Sequence, residues 1–510
     1  MKKVKAFFLN AVLLTATSLL MRTVGMGFGV YLAGKIGAAG LGLYQLIMSV
    51  YTLAVTIATS GINLAATRLV AEELGRGNAE GAKKAMQRCL AYCVFFGTAT
   101  SLALFFGANY VGLVWLADSR TVASLRFLAV SLPFLAMSSA MSGYFTAVRR
   151  VFKSASAQVL EQGIRITLTI VGLTLLLPRG LEYACFAIVG GGSLAELCSF
   201  LYSFTLYAHD IKRYKSSPAP QPGLTKRLLG ISLPVAFSAY ARSGLITIEH
   251  LLIPRGLKKF GATQEAALAS YGLLQGMVLP VVLFPAAVLQ ALSGLLVPEL
   301  AECRAQLHNV RINYIAARVF KLTLLFSIGV AGIMAGFADE ISMAVYKNTN
   351  TAVYIRILAP LIPVMYLDTA VDGMLKGLGE QVSSMRYNII DAGCSVILVY
   401  LLVPRMGLTG YICTIFFTEL LNSALSASRL IAVTQFKINL FNSIVKPIIG
   451  IASSVFMTRL LLSSLGSFVQ SPFNIAALGV LFSAGLYLVF LRICASITSE
   501  DIEWGMGILK

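Results

Sequence analysis

Arg126-Phe-Leu-Ala-Val-Ser-Leu-Pro133 has a counterpart later in the chain, Arg356-Ile-Leu-Ala-Pro-Leu-Ile-Pro363. At the same spacing Gly143 is matched by Gly373, Glu161 by Asp391 and Gly163 by Gly393. Farther on, Leu177-Pro-Arg179 corresponds to Val403-Pro-Arg405 and Glu196 to Glu419. The earlier parts align more weakly, as in Leu69-Val-Ala-Glu-Glu-Leu74 against Leu296-Val-Pro-Glu-Leu300. A chain that repeats itself in this way, with apolar stretches punctuated by Pro and Gly, reads as two similar halves.

The solvent for these halves follows from composition. Of 510 residues, 57% are hydrophobic and 12% are charged, against about 25% charged in an ordinary soluble domain. So few charges cannot cover a water-facing surface, so most side chains must face lipid or one another. At about 20 apolar residues per spanning helix, helices are expected near 6–34, 41–70, 84–115, 121–147, 156–177, 182–208, 228–253, 267–298, 312–336, 352–376, 384–403, 408–433, 440–464 and 473–494. The expectation is thus an all-α polytopic membrane protein with about 14 transmembrane helices. Met1-Lys2-Lys3-Val4-Lys5 superficially resembles a signal peptide, but the apolar run continues through Val30 without a cleavage pattern, so it is read as a retained first helix.

Of the 41 Lys and Arg, four fall within spans, and sorting the rest onto the two sides of this layout places more than twice as many on one side as on the other. The positive-inside rule then puts both termini in the cytoplasm of a multi-pass plasma-membrane protein. The net charge of +19 is accounted for by loops facing anionic headgroups, with no nucleic-acid partner required. The repeat divides the chain into an N-lobe of six helices (1–208), a cytoplasmic linker (209–227) containing Pro-Ala-Pro-Gln-Pro, a C-lobe of six helices (228–436), and a final pair of helices with a cytoplasmic tail (437–510). Corresponding helices run in the same direction, so the lobes are parallel repeats about an axis along the membrane normal, with a cavity expected between them.

Substrate contacts are sought among charges within spans, because a charge at that depth is costly unless it faces a wet cavity or a partner. Arg22 lies roughly 22 Å along its helix at 1.5 Å per residue, too deep for easy snorkelling. Gly25, Gly27 and Gly29 beside it thin the helix. The seventh helix carries Arg242, Glu249 and His250 and ends at Pro254-Arg255. Two guanidinium groups contributed by the two lobes would suit a phosphate or pyrophosphate, which Arg binds bidentately; an ion pair between Arg242 and Glu249 is the competing expectation. Arg165 is expected to be neutralised by Glu161, four residues before it. Asp368 and Asp372, one turn apart, and Glu419 are candidates for coupling an ion such as Na+ or H+, or for pairing with Lys321 or Arg242.

The remaining chemistry is sparse. The three His are scattered, and there is no Walker A loop, no Gly-x-Ser-x-Gly elbow and no metal-ligand spacing. The eight Cys fall mostly in apolar segments, where a thiol behaves as a small hydrophobe. No catalytic residue, metal or cofactor other than a coupling ion is expected.

Three segments resemble the start of the stage V sporulation protein B family: Met21-Arg22-Thr-Val-Gly25; Ile36-Gly-Ala-Ala-Gly-Leu-Gly-Leu-Tyr44-Gln45; and Gly61-Ile-Asn-Leu-Ala-Ala-Thr-Arg68-Leu-Val-Ala-Glu72. Ile253-Pro-Arg255, Tyr271-Gly-Leu-Leu-Gln-Gly-Met277-Val-Leu-Pro280 and Leu296-Val-Pro-Glu299 extend the resemblance into the second half. That family belongs to the multidrug/oligosaccharidyl-lipid/polysaccharide exporter superfamily, with the lipid II flippases. The resemblance implies a fourteen-helix, two-lobed flippase for a polyprenyl-pyrophosphate-linked sugar precursor of the cell wall or spore cortex, embedded among membrane lipids and working beside cell-wall synthesis proteins. Arg22 matches the family's first-helix arginine. A second arginine common one or two turns later is absent, the segment here reading Met26-Gly-Phe-Gly-Val30. Competing expectations are an ion-coupled multidrug or metabolite exporter of the same superfamily, a polytopic enzyme acting on lipid-linked sugars, and a scaffold without transport activity. The short outer loops count against the enzyme.

Overall fold

A straight helix of 58 residues would be about 87 Å long at 1.5 Å per residue, nearly three times the hydrocarbon thickness of a bilayer. The first helix, α1 (Lys2–Thr59, 58 residues), is not straight: Gly37 breaks it at φ 68°, ψ −179°, a region essentially closed to residues with a side chain. The break falls in the gap expected between the first two spans. Gly61, at φ 77°, then separates α1 from α2 (Ile62–Gly75).

The computed structural model describes residues 2–59, 61–212, 223–436, 441–464, 471–498 and 500–501, with side chains from residue 17 onward except at 151 and 295. Among the described residues every regular element is helical. The expected linker around 213–222, the lysines at positions 2, 3 and 5 and the tail at 502–510 lie outside what is described at side-chain or backbone level.

The chain forms two compact units. The first comprises 1–24, 36–272 and 396–407. After α2 it contains α3 (Ala79–Tyr110), α4 (Val122–Ala147), α5 (Val151–Leu176), α6 (Leu181–Ile211), α7 (Leu224–Phe260) and α8 (Gln264–Gly272). Helices α2, α3 and α4 pack on one another, α4 on α6, and α5 on α6. Ile62, Leu69, Met86, Cys89 and Tyr144 lie fully buried at the centre. In lipid this packing is held by close van der Waals fit rather than by escape from water, so small residues at contacts matter. Gly42 and Gly272 meet face to face: a Cβ on Gly42 would lie 2.0 Å from the Leu268 carbonyl oxygen, and one on Gly272 would lie 2.0 Å from that of Ala38. Helix α7, assigned to the second lobe by the repeat, packs on α2 and α3. Arg227 at its start donates to Glu72 and, at 3.1 Å, to fully buried Glu73.

The second unit comprises 25–35, 273–395 and 408–510. A π turn at Leu273–Val278 leads into α9 (Leu279–Leu283), α10 (Ala286–Ala305), α11 (Asn309–Gly336), α12 (Ala338–Tyr346), α13 (Asn350–Leu358), α14 (Ile362–Gly377), the first part of α15 (Gln381–Met406), α16 (Leu408–Thr434), α17 (Lys446–Ser464) and α18 (Pro472–Ile493). α14 packs on α10, α11 and α16, and α17 packs on α11 and α18. The short α12 occupies a segment expected to be a loop. Its first turn carries Asp339 and Glu340, which favour a helix N-terminus.

The internal repeat is visible as the same joint built twice. Asn63 donates to the Ser139 carbonyl at 3.1 Å. Ser293 donates to the Thr369 carbonyl at 3.3 Å. The bonded residues are 76 apart in both cases, and the two bonds are displaced by the spacing that relates Gly143 to Gly373. Those glycines complete the joints, because a Cβ on Gly143 would strike the Asn63 carbonyl and one on Gly373 would strike Ser293 Cβ.

Among the described residues, 14 helical segments are long and apolar enough to cross a membrane. From residue 17 onward their outer ends agree with the expected spans to within seven residues, with two differences in division. Thr17–Gly75 is continuous across the Gly37 bend, and 264–305 is interrupted at Pro285. Dividing the first at its bend and joining the second across its proline returns the expected fourteen.

Candidate functional site

Four cations lie at depth in the expected spans, and their surroundings sort them into two kinds. Arg165 on α5 donates to Glu161 at 2.6 Å and lies 4.0 Å from Glu196, so its charge is neutralised as expected. Lys321 on α11 pairs with Asp501 at 2.8 Å, not with Asp368 or Asp372. Arg22 on α1 is half-buried and Arg242 on α7 is exposed. Neither makes an ion pair or side-chain hydrogen bond within the described residues. An unpaired guanidinium within a span is the configuration that marks a functional charge in membrane proteins.

The glycines after Arg22 differ from those at packing contacts. A Cβ on Gly25, Gly27 or Gly29 would meet nothing within 4 Å. They therefore hold no helix close in this structure and leave open space beside α1. Along α7, Tyr240 donates to the Ile57 carbonyl at 3.1 Å and Thr247 to that of Ser49 at 3.2 Å, which fixes the helix on α1. Glu249 is half-buried, and no ion pair joins it to Arg242. His250 Nδ1 shares a 2.8 Å hydrogen bond with the Tyr271 hydroxyl. Arg255 is engaged elsewhere: its Nη2 donates to the carbonyls of Val114 and, at 2.8 Å, Trp115, where the turns after α3 leave main-chain acceptors open.

The acidic candidates belong to the second unit and also fall into distinct settings. Asp372 pairs with Lys376 at 2.5 Å and accepts from Ser384 Oγ, so its charge is compensated within its own helix. Asp368 accepts from Asn422 Nδ2 on α16 at 3.2 Å. Glu419, one turn before Asn422 on the same helix, is half-buried.

One polar cluster was not legible in sequence. Tyr51 donates to Glu196 Oε2 at 2.7 Å and shares a 2.7 Å hydrogen bond with Ser131 Oγ, linking α1, α4 and α6 through the interior of the first unit. A tyrosine and a serine in apolar helices carry no motif; only Glu196 signals that something must satisfy it.

These features define an all-α, fourteen-helix membrane protein built from two related six-helix halves plus two helices, with unpaired cations in its spans. The chain belongs to the polysaccharide biosynthesis protein family, whose model matches residues 8–292. It is 27% identical to the stage V sporulation protein B of Bacillus subtilis (strain 168), over 98% of this chain and 97% of that one. A solved lipid II flippase MurJ in an inward closed conformation has the same fold, with a TM-score of 0.70 at 14% identity, covering 94% of this chain and 98% of that one. An inward-facing multidrug resistance MATE family transporter of the MOP superfamily superposes with a TM-score of 0.64 at 15% identity, over 83% and 99% of the two chains. The fold is thus one shared with a solved flippase and a solved transporter.

Proposed function

We propose that the protein translocates a polyprenyl-pyrophosphate-linked oligosaccharide, of the lipid II kind, outward across a bacterial plasma membrane by alternating access, supplying cell-wall or spore-cortex synthesis. The observation that carries this reading is that, among the described residues, Arg22 and Arg242 have no carboxylate partner while Arg165 and Lys321 do. A pyrophosphate would supply the missing partner through charge-assisted hydrogen bonds. Gly25 leaves room beside Arg22 for a bulky headgroup. The lipid II flippase that shares this fold and the polysaccharide biosynthesis family to which the chain belongs support the substrate class. Both termini face the cytoplasm in this reading.

The test is reconstitution of the purified protein in liposomes with lipid II and measurement of its transbilayer movement. Arg22→Ala and Arg242→Ala should each slow flipping about tenfold or more, the loss of one charge-assisted contact of roughly 1.5–3 kcal/mol, with unchanged abundance in the membrane. Arg255→Ala should act instead on stability. Flipping at the wild-type rate in both of the first two variants removes the assignment. An ion-coupled exporter is the second reading, favoured by the Asp368–Asn422 contact between α14 and α16. It predicts that flipping or efflux follows an imposed Na+ or H+ gradient in the wild type and loses that dependence in Asp368→Asn.

A further inference from the structure

At one end of the second unit, a cavity of about 370 Å3 lies between the start of α11, the turn before α17 and the segment that follows α18. Its size falls in the range of small-molecule sites, roughly 300–1,000 Å3. The proposed substrate contacts play no part in it. Its polar wall is built from Arg318 and Lys321, one turn apart on α11, and from Asp501. Asp501 Oδ1 accepts from Arg318 Nε at 2.7 Å, and its Oδ2 accepts from Lys321 Nζ at 2.8 Å. Thr498 donates to the same Oδ2 through its backbone N–H and its hydroxyl, each at 2.9 Å, while Asp501 N–H returns a bond to Thr498 Oγ1 at 3.3 Å. This reciprocal pair is a capping box, so the carboxylate is set in place by its own helix start as well as by two cations.

The donors exceed the acceptors. Arg318 is only 8% exposed, yet among the described residues its buried Nη1 has no hydrogen-bond partner. Lys321 spends one of its three N–H groups on Asp501. A buried guanidinium with an unmet donor is costly to leave so. Among the described residues, two cations against one buried carboxylate leave one positive charge in excess. Glu500 reaches Arg318 Nη2 at 3.3 Å but is 80% exposed, so solvent screens it. A metal cation is therefore excluded and a monoanion fits.

The walls point to the source of that anion. Tyr314 stacks on Arg318, with the guanidinium carbon 4.7 Å from the ring centroid, and Phe320 lines the cavity. The residues adjoining the lining, Phe441 before the α17 turn and Ile493 at the end of α18, are apolar and exposed. Cationic donors inside and acyl-compatible surface outside match the two ends of a phospholipid, whereas a soluble anion would use only the first. We propose that this cavity is a binding site for the phosphodiester of an anionic glycerophospholipid, held by Lys321 Nζ and the Arg318 guanidinium, and that Asp501 competes for the same cations.

The test is native mass spectrometry of the full chain in detergent, titrated with phosphatidylglycerol, phosphatidylcholine, phosphatidylethanolamine or inorganic phosphate. The wild type should take one phosphatidylglycerol at least roughly fivefold more tightly than either zwitterionic lipid. Asp501→Asn, which frees the cations, should tighten that binding by roughly three- to tenfold, and Lys321→Met should weaken it by a similar factor, as expected for one charge-assisted contact. Because Arg318→Met alone strands a buried carboxylate, the double variant Arg318→Met/Asp501→Asn removes both charges together and should abolish the site. Equal phosphatidylglycerol binding across these variants overturns the proposal. So does an equal preference for the zwitterionic lipids, or a variant dependence found with inorganic phosphate but not with lipid.

Discussion

Asp501 shows how one carboxylate can be held below its ordinary range. Burial by itself would raise it, but Lys321, the Thr498 N–H and hydroxyl, and Arg318 outweigh that and bring it from 3.8 to about 2. A carboxyl depressed in the folded state stabilises above its ordinary value and loses that contribution as acid protonates it. The docking of the segment after α18 should therefore weaken between about pH 4 and pH 2. Thermal unfolding in detergent across that window should show a fall in midpoint for the wild type and a smaller one for Asp501→Asn. Glu380, held down by Ser383 and Arg429, adds to the acid sensitivity in the same direction and remains in the variant. Neither effect is visible in sequence, where Lys321 is only one of two alternative partners, with Arg242, for Asp368 and Asp372. Its true partner lies at the far end of the chain, and nothing local to either residue announces the pairing. Arg165 and Glu161, by contrast, were legible because they share a helix face.

At the level of elements, hydropathy marks helices well and says little about which faces touch. The ends of α3 to α7 and of α14 to α18 follow from apolar runs bounded by Pro, Gly and charge. The contact between Gly42 and Gly272 does not, since the other forty-two glycines look alike in composition, and many of those described face open space. The distinction can be measured. Gly42→Ala puts a methyl into the backbone of α8 and should destabilise the protein by about 1–3 kcal/mol or more. Gly107→Ala on α3, where a Cβ meets nothing within 4 Å, should be neutral or stabilising by roughly 0.5–1 kcal/mol through helix propensity. Thermal unfolding of the two variants in one detergent separates a contact glycine from a permissive one. If both behave alike, the close approach of α1 and α8 is not as described.

At the scale of the whole chain, an even number of spans and the excess of Lys and Arg on one side make the same statement about topology. Reporter fusions at residue 1 and after residue 510 should both be active only in their cytoplasmic forms. Opposite locations for the two reporters would mean that one segment, most simply 264–283 or 286–305, crosses separately. The duplication was legible because Pro, Gly and acidic positions kept their spacing. What it means physically emerged from Asn63 and Ser293, whose different side chains reach the equivalent carbonyl in each half. The bend at Gly37 carries a last implication. A single achiral residue decides that the opening 58-residue rod is bent instead of running straight, so one base change in its codon is enough to threaten the path of everything downstream. Substitution by alanine there, costing about 1–3 kcal/mol in backbone strain, would be borne in full by the joint itself, because no neighbouring atom lies close enough to share the load.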